Sequence, residues 1–313
     1  MPAQEKLSRA VSFFKRLQRH GSRGSKTKMN ILNIALTLIA AGAIIALLVR
    51  WFEKQIVFFP SRYPEGYWEP RALGLQVEDI FFPSGDLQLH GWYVPHPRAA
   101  GQILMCHGNA GNVTDRLELL QMLHAHVPAH VFIFDYRGFG RSNGSPSENG
   151  VYEDAIAAFD WLKNADPDLP VIVHGHSLGS AVAIDLATKR GAVVGLILES
   201  PFTNARDMAR RMFGGLPMHW FASMQWASDE KIATLHVPKL FLHGGKDSTI
   251  PLRLGEKLYH GAVPPKEFVT IPHGDHNNLY LADTGAYFGS INRFIETCVE
   301  KIAAATITNS QEP

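Results

Sequence analysis

A serine between two glycines is the pattern in this sequence with the clearest potential for chemistry. Gly175-His176-Ser177-Leu178-Gly179 follows an apolar run at residues 171–174 and precedes a helical pattern at residues 180–189. Glycines two places on either side of the serine let the chain turn sharply from strand to helix, because closely packed backbones leave no room for a Cβ atom. The serine hydroxyl then projects freely from a strained turn. We therefore predict that Ser177 is a nucleophile.

A serine hydroxyl is barely nucleophilic at neutral pH, so it needs a base within hydrogen-bond reach and an acid that orients the base. Such residues must follow other strands at the same edge of the sheet. Candidate bases are His273 and His276, after the run at 267–271, and candidate acids are Asp247, after the run at 240–243, and Glu199, after the run at 193–198. Asp275 adjoins His276 and cannot readily fold back onto its imidazole, so we expect Asp275 to be a loop residue.

The elements that must position these side chains follow an α/β pattern. Short apolar runs at residues 103–106, 131–135, 171–174, 193–198 and 240–243 alternate with helical patterns such as 115–123 and 151–164. Short strands that are apolar on both faces are typical of a parallel sheet covered by helices on each side. Residues 77–82 and 87–94 precede them and are predicted to form an antiparallel hairpin.

One interval, residues 201–238, is too long for a simple crossover between strands and is predicted to form a short helical lid. It holds four of the eight methionines in the chain and several aromatic residues: Met208, Met212, Met218, Met224, Trp220, Phe221 and Trp226. Large, adaptable side chains of this kind are typical of an acyl-binding surface. They are equally typical of a helical excursion that packs on its own domain, and the sequence does not separate these two interpretations.

The N-terminal region has the charge and hydropathy pattern of a membrane anchor. Residues 1–30 contain eight basic residues and one acidic residue, a net charge of +7, whereas the remaining 283 residues carry −6. Residues 31–49 then contain no charged residue and are about long enough to cross a hydrocarbon core of roughly 30 Å. We predict an uncleaved transmembrane helix at 31–49, a linker at 50–72, a catalytic domain at 73–303 with its lid at 201–238, and a tail at 304–313.

The positive charge before the apolar run predicts the orientation of the anchor. Basic residues are retained on the cytoplasmic side, so we expect a single-pass protein with a cytoplasmic N-terminus and a catalytic domain on the opposite side. Apolar residues also recur at helical spacing within the basic segment. This segment therefore fits either a helix lying on the membrane surface or an organelle-targeting signal.

Composition argues against several other functions. The 30 basic and 29 acidic residues nearly cancel, so the chain lacks the overall basic field typical of nucleic-acid binding. The two cysteines, Cys106 and Cys298, have no zinc or redox spacing, and Cys106 is expected to be an inert buried thiol. His124, His126 and His130 lack a partner carboxylate set, so we expect neither metal nor nucleic acid as a partner. The sequence does not indicate an oligomeric state.

The region from about residue 75 to 303 resembles the α/β-hydrolases, most closely the membrane-anchored Bem46-like branch of serine hydrolases. The resemblance rests on the Gly-x-Ser-x-Gly pattern and on five further segments in the same order: 107–112, 135–142, 199–202, 244–247 and 274–277. It implies Ser177 as nucleophile, His276 as general base and Asp247 as the orienting acid. It further implies an oxyanion hole formed by the backbone N–H groups of Asn109 and Leu178.

The resemblance implies hydrolysis of a carboxylic ester or thioester through an acyl-enzyme, without a cofactor. The expected substrate is a small or lipid-linked acyl compound, because the anchor holds the site near a bilayer. Two alternatives remain: an amidase or peptidase using the same three residues, and a hydrolase-like interaction domain that has lost catalysis.

Overall fold

A computed structural model describes Ser12 and residues 30–48, 51–214 and 223–309, with side chains in the last helix described up to residue 301. The remainder of the predicted basic segment and residues 310–313 of the predicted tail lie outside the described residues. The chain divides into two compact units, Met1–Phe52 and Glu53–Pro313. The predicted site residues all lie in the second unit.

The first helix, α1, runs over Asn30–Val57 and includes the predicted apolar span. Its 28 residues correspond to about 42 Å at 1.5 Å per residue, enough to cross a hydrocarbon core. None of its most apolar window is buried within the structure. A helix that exposes so many large apolar side chains needs an apolar surrounding, so α1 is a candidate single-pass membrane anchor.

The second unit is built on an eight-stranded, mostly parallel sheet. Its strands are β2 (Glu78–Ser84), β3 (Leu87–Val94), β4 (Gln102–Cys106), β6 (His130–Asp135), β7 (Val171–His176), β8 (Val193–Glu199), β9 (Lys239–Gly244) and β10 (Lys266–Ile271). They lie in the order β10-β9-β8-β7-β4-β6-β3-β2. Only the β2–β3 and β3–β6 pairings are antiparallel. All the predicted strands are confirmed, with ends displaced by at most two residues.

Helices cover both faces of this sheet. They are α2 (Leu117–His126), α3 (Glu148–Ala165), α4 (Leu178–Lys189), α5 (Ala205–Phe213), α6 (Ser228–Ile232), α7 (Leu252–Gly261), α8 (Leu279–Ala282) and α9 (Thr284–Asn309). Strand β4 shows why its sequence is continuously apolar: Leu104 and Cys106 pack with α3 and α4, whereas Ile103 and Met105 pack with α2 and α9. Burying each such side chain contributes about 1.5–3 kcal/mol, so both faces stabilise the sheet.

A second, two-stranded sheet lies beside the carboxyl end of β4. Strand β1 (Phe59–Pro60) pairs in parallel with β5 (Ala110–Gly111). Part of the segment that follows α1 is therefore hydrogen-bonded to the loop that follows β4.

The interval from 201 to 238 contains α5 and α6, and residues 215–222 within it lie outside the described residues. Met224 and Trp226 are buried in the hydrophobic core, and Met208 packs partly against it. Met212, by contrast, is 56% exposed. Met218, Trp220 and Phe221 are not described, so the acyl-binding interpretation of this interval stays a prediction.

Candidate active site

Ser177 occupies the turn between β7 and α4 in a conformation that L-residues rarely adopt, with φ 55° and ψ −119°. The flanking glycines permit the turn. A Cβ atom on Gly175 would lie 2.3 Å from the carbonyl oxygen of Gly179, and one on Gly179 would lie 1.9 Å from that of Cys106. The Ser177 amide donates to the carbonyl of Glu199 on β8 at 2.8 Å. The local strain is thus held by packing and by the neighbouring strand.

The structure brings Ser177, His276 and Asp247 together at the carboxyl edge of the sheet. His276 Nε2 lies 3.0 Å from Ser177 Oγ, and His276 Nδ1 lies 2.8 Å from Asp247 Oδ2. All three residues are buried. An ionised carboxylate only accepts hydrogen bonds, so the Nδ1 atom carries the proton and the Nε2 lone pair faces the serine hydroxyl. This tautomer can accept the proton of Ser177.

The Asp247 carboxylate is fixed by the loop that carries it. Its Oδ1 atom accepts hydrogen bonds from the amides of Thr249 at 2.9 Å and Ile250 at 2.7 Å, which leaves Oδ2 for His276. Burial by itself raises the pKa of Asp247, but the hydrogen bond and charge of His276 and the Ile250 amide lower the pKa below its usual value. The carboxylate therefore stays ionised at neutral pH.

Asp275 acts as a link between two loops. Its carboxylate accepts from the amides of Ser248 and His276, both at 2.8 Å, and from the Ser248 hydroxyl at 3.0 Å. Ser248 follows Asp247 directly, so Asp275 ties the loop that carries the acid to the loop that carries the histidine. This is the loop position expected from the sequence.

The two alternative candidates lie elsewhere. His273 is exposed. Glu199 is buried beneath the turn, where its carboxylate contacts His174 Nε2 at 2.9 Å and accepts from the Tyr287 hydroxyl at 2.8 Å. Burial by itself raises the pKa of Glu199, but the hydrogen bonds from His174 and Tyr287 help to lower the pKa to about 2. Glu199 is thus an ionised group in a separate buried network.

The backbone N–H groups of Asn109 and Leu178, which are predicted to form an oxyanion hole, make no other hydrogen bond among the residues that the structure describes. Leu178 is the first residue of α4, where an N–H group has no partner within the helix. Asn109 accepts from the Phe59 amide at 2.9 Å and donates through its side chain to the Val57 carbonyl at 2.7 Å. These bonds fix the Asn109 peptide, and neither amide meets an acceptor among the residues that the structure describes. Both could donate to a substrate oxygen.

His176 is a site residue that sequence reasoning missed. Its Nε2 atom lies 2.9 Å from the carbonyl oxygen of His276, and since a carbonyl only accepts, Nε2 carries the proton. Burial, outweighing the nearby charge of Glu199, lowers the pKa of His176 to about 4, so the ring is neutral at physiological pH. His176 therefore holds the backbone of His276, a contact that its place in the serine motif did not reveal.

The residues under the loop after β4 are buried and hold that loop in place. Cys106 is a free, buried thiol whose pKa is raised by burial to about 12, consistent with the expected unreactive cysteine. His107 is buried and contacts the Gly108 carbonyl through Nδ1 at 2.7 Å, and burial lowers its pKa to about 3. The Tyr136 hydroxyl donates to the His107 carbonyl at 3.0 Å. These contacts support the loop that carries Asn109.

Among the residues that the structure describes, no group of three or more histidine, cysteine or carboxylate residues could hold a metal ion. The side chains and amides at the carboxyl edge of the sheet could supply a nucleophile, a base oriented by an acid, and two hydrogen-bond donors for a developing negative charge.

Comparisons with known proteins agree with this fold. The family model Hydrolase_4, described as serine aminopeptidase S33, matches residues 97–229. An esterase from Pyrococcus furiosus has the same fold, with a TM-score of 0.63 at 19% identity, covering 77% of this chain and 98% of the esterase. At that identity the likeness shows the fold alone, which is the predicted α/β-hydrolase fold.

Relatives that this chain matches over most of their length show the family. An uncharacterised protein of Mycobacterium tuberculosis is 36% identical over 277 residues, which cover 85% of this chain and 96% of that protein. Protein bem46 of Schizosaccharomyces pombe is 32% identical, covering 84% of this chain and 90% of bem46. The lysophosphatidylserine lipase ABHD12 of Mus musculus is 40% identical over 187 residues, which are 53% of this chain and 46% of ABHD12. The chain belongs to the Bem46-like branch of the α/β-hydrolases.

Proposed function

We propose that this protein is a membrane-anchored serine hydrolase that cleaves carboxylic esters or thioesters through an acyl-enzyme intermediate. The observation that carries the proposal is the continuous contact from Ser177 through His276 to Asp247, at 3.0 Å and 2.8 Å. A nucleophile, a base and an orienting acid at these distances are what acyl transfer by a serine requires.

The reaction begins when the Ser177 Oγ atom attacks the substrate carbonyl carbon. His276 Nε2 accepts the hydroxyl proton as the new C–O bond forms, and Asp247 stabilises the resulting imidazolium. The negative charge that develops on the carbonyl oxygen is stabilised by the amides of Asn109 and Leu178, each contributing about 3 kcal/mol.

The tetrahedral intermediate then collapses. His276 gives its proton to the leaving alcohol or thiol as the bond to the carbonyl carbon breaks, which leaves an ester on Ser177. A water molecule next loses a proton to His276 Nε2 and attacks this ester. His276 returns the proton to Ser177 Oγ as the carboxylic acid is released, so the enzyme ends the cycle unchanged.

The substrate class follows from the anchor and the relatives. A helix such as α1 holds the site close to a bilayer, and a relative is named as a lysophosphatidylserine lipase. Lipid-linked acyl esters are therefore the proposed substrates. The basic segment at residues 1–30 further favours a cytoplasmic N-terminus with the catalytic unit on the other side. Labelling of an introduced surface cysteine from the cytoplasmic side alone would contradict this orientation.

A fluorophosphonate probe tests the chemistry directly. The purified full-length protein should be labelled covalently, and the Ser177→Ala variant should not. The same preparation should hydrolyse a graded series of p-nitrophenyl esters and an acyl thioester. A wild-type protein that folds but neither reacts with the probe nor turns over any ester would support the non-catalytic interaction domain instead.

An amidase or peptidase is the second candidate, because the matching family model is described as a serine aminopeptidase. The same three residues would serve either reaction, and the leaving group separates the two. Turnover of an acyl anilide at a rate comparable with the matching ester would favour this candidate. We expect the ester to be cleaved much faster.

A further inference from the structure

The end of helix α1 is attached to the interval predicted as a lid. Glu53 directly follows the exposed residues Trp51 and Phe52 and is itself buried. Its carboxylate accepts hydrogen bonds from the Ser223 amide at 3.0 Å, from the Ser223 hydroxyl, and from the Met224 amide at 2.9 Å. A single side chain at the end of the candidate membrane span thus holds the backbone at residues 223 and 224.

The next residues extend this attachment to α5. The Gln225 carbonyl accepts from the amide of Ala205, the first residue of α5, at 2.8 Å. Glu148 at the start of α3 fixes the same stretch from the other side, since it accepts from the amides of Gln225 at 2.7 Å and Trp226 at 2.8 Å. The start of α5 is therefore linked to Glu53 through residues 223–225.

Aromatic residues at the end of a membrane helix usually lie at the level of the lipid head groups. Trp51 and Phe52 have this position at the end of the apolar part of α1. Glu53 is the next residue in the chain, and its carboxylate binds the backbone at residues 223 and 224. The first residue of α5 is hydrogen-bonded in turn to Gln225.

The composition of α5 suits that location. None of its nine residues is buried, and it exposes Arg206, Arg210 and Arg211 together with Met212. Its acidic residue, Asp207, accepts from Thr203 and Lys257, each at 2.6 Å, and more distantly from Arg210 at 3.5 Å. This local positive charge stands out because the chain beyond residue 30 carries a net charge of −6.

Helical spacing places two of the arginines on one outward stripe. Arg206 and Arg210 are four residues apart, and Ala209 and Phe213 lie beside them on the same side. Arginines that alternate with apolar side chains are typical of helices that lie in the plane of a membrane surface. Met212 is also exposed, but it lies on the neighbouring side of the helix, four residues after Met208.

We propose that this outward stripe of α5 lies in the head-group layer of the bilayer that α1 crosses, with Arg206 and Arg210 bound to anionic lipid head groups. The inference rests on the proposed membrane anchoring and extends it to a second contact. Arg211 of the same helix donates to the Ser248 carbonyl at 3.4 Å, next to Asp247. The contact would therefore bring the rim of the active site to the membrane surface, where acyl lipids are available.

Fluorescence quenching in proteoliposomes tests the contact. The full-length protein carries an environment-sensitive fluorophore on Met212→Cys, in vesicles of phosphatidylcholine and phosphatidylglycerol that contain a lipid spin-labelled on its head group. The native Cys106 and Cys298 are buried and should stay unlabelled. The control fluorophore is on Gly191→Cys, in the loop between α4 and β8 at the opposite edge of the sheet, where a Cβ atom meets no atom within 4 Å.

We expect quenching at position 212 to be several-fold stronger than at position 191. Each arginine near an anionic surface should favour the contact about five-fold, so Arg206→Gln/Arg210→Gln should weaken it by about 25-fold. The charge-preserving variant Arg206→Lys/Arg210→Lys should keep most of the quenching. In vesicles of phosphatidylcholine alone, the wild type should resemble the glutamine variant.

The outcomes separate this inference from the proposed anchoring. Release of the protein by an alkaline carbonate wash would show that the anchoring itself is wrong. Retention of the protein with equal quenching at positions 212 and 191 would overturn the α5 contact alone. Quenching that is unchanged by Arg206→Gln/Arg210→Gln would overturn the role of anionic lipid. A signal at position 212 that changes on dilution of the protein in the lipid would place a second copy on α5 and also overturn the proposal.

Discussion

Replacing Asp247 with asparagine is expected to abolish turnover while leaving the fold intact, for a reason visible in the loop around it. The amides of Thr249 and Ile250 both donate to Oδ1. An asparagine must turn its carbonyl oxygen toward these two donors, so its NH₂ group faces His276 Nδ1. His276 must then accept at Nδ1 and carry its proton on Nε2, where it can no longer accept the proton of Ser177.

The loss of turnover should be large, because the asparagine prevents His276 from acting as a base and does not only change the orientation of its ring. In a serine protease with the same arrangement the equivalent change lowers kcat by about 10⁴-fold, which corresponds to about 5.5 kcal/mol of transition-state stabilisation. Because the asparagine keeps both backbone hydrogen bonds, we expect the melting temperature to change by only a few degrees.

Steady-state hydrolysis of a p-nitrophenyl ester by the full-length protein measures this loss, and thermal unfolding serves as the control for folding. Glu199→Gln is the matched comparison, because Glu199 contacts His174 and Tyr287 instead of His276. We expect Glu199→Gln to lower mainly the stability of the fold and to affect turnover much less. Near-normal turnover by Asp247→Asn, together with inactivity of a folded Glu199→Gln variant, would refute the assignment of the acid.

Three further predictions follow from the surroundings of the site. His176→Ala should lower kcat by about ten-fold, because the hydrogen bond to the His276 carbonyl is lost. His176→Gln retains a donor and should recover most of the rate. Equal rates for the two variants would contradict a positioning role for His176. Gly179→Ala should prevent folding or lower the melting temperature strongly, as measured by circular dichroism, because its Cβ atom would lie 1.9 Å from the Cys106 carbonyl oxygen. Acid should destabilise the fold, because His107 stays neutral down to about pH 3 in the folded state but binds a proton near pH 6.5 in the unfolded state. The free energy of unfolding, measured with a denaturant, should therefore fall by about 3 kcal/mol between pH 7 and pH 4.5. The fall should be smaller in the His107→Gln variant.

The strands were predictable because their chemistry is local. A run buried on both faces of a sheet must be apolar at every position, as in β4, and such runs are visible without knowledge of their neighbours. The turn at Ser177 was predictable for a similar reason, since the two glycines are required by the backbone itself. Strand ends then limited the candidate acids and bases to a few residues.

The contacts of the polar side chains were not predictable in the same way. His176 and His276 are 100 residues apart in the chain, and the hydrogen bond between them depends on how two loops meet at the sheet edge. Glu199 follows a strand as Asp247 does, and nothing in its sequence context shows that its carboxylate contacts His174 and Tyr287. The attachment of Glu53 to residues 223 and 224 likewise has no local signal.

The sequence by itself determined the α/β architecture, the apolar N-terminal span, the strained serine and a short set of partners for it. These features depend on hydropathy and backbone sterics, which act within a few neighbouring residues. Only the tertiary structure decided which carboxylate reaches His276, which amides meet no acceptor among the described residues, and which backbone groups Glu53 binds. Those outcomes depend on hydrogen bonds between segments distant in the chain, and their geometry exists only once the sheet has formed.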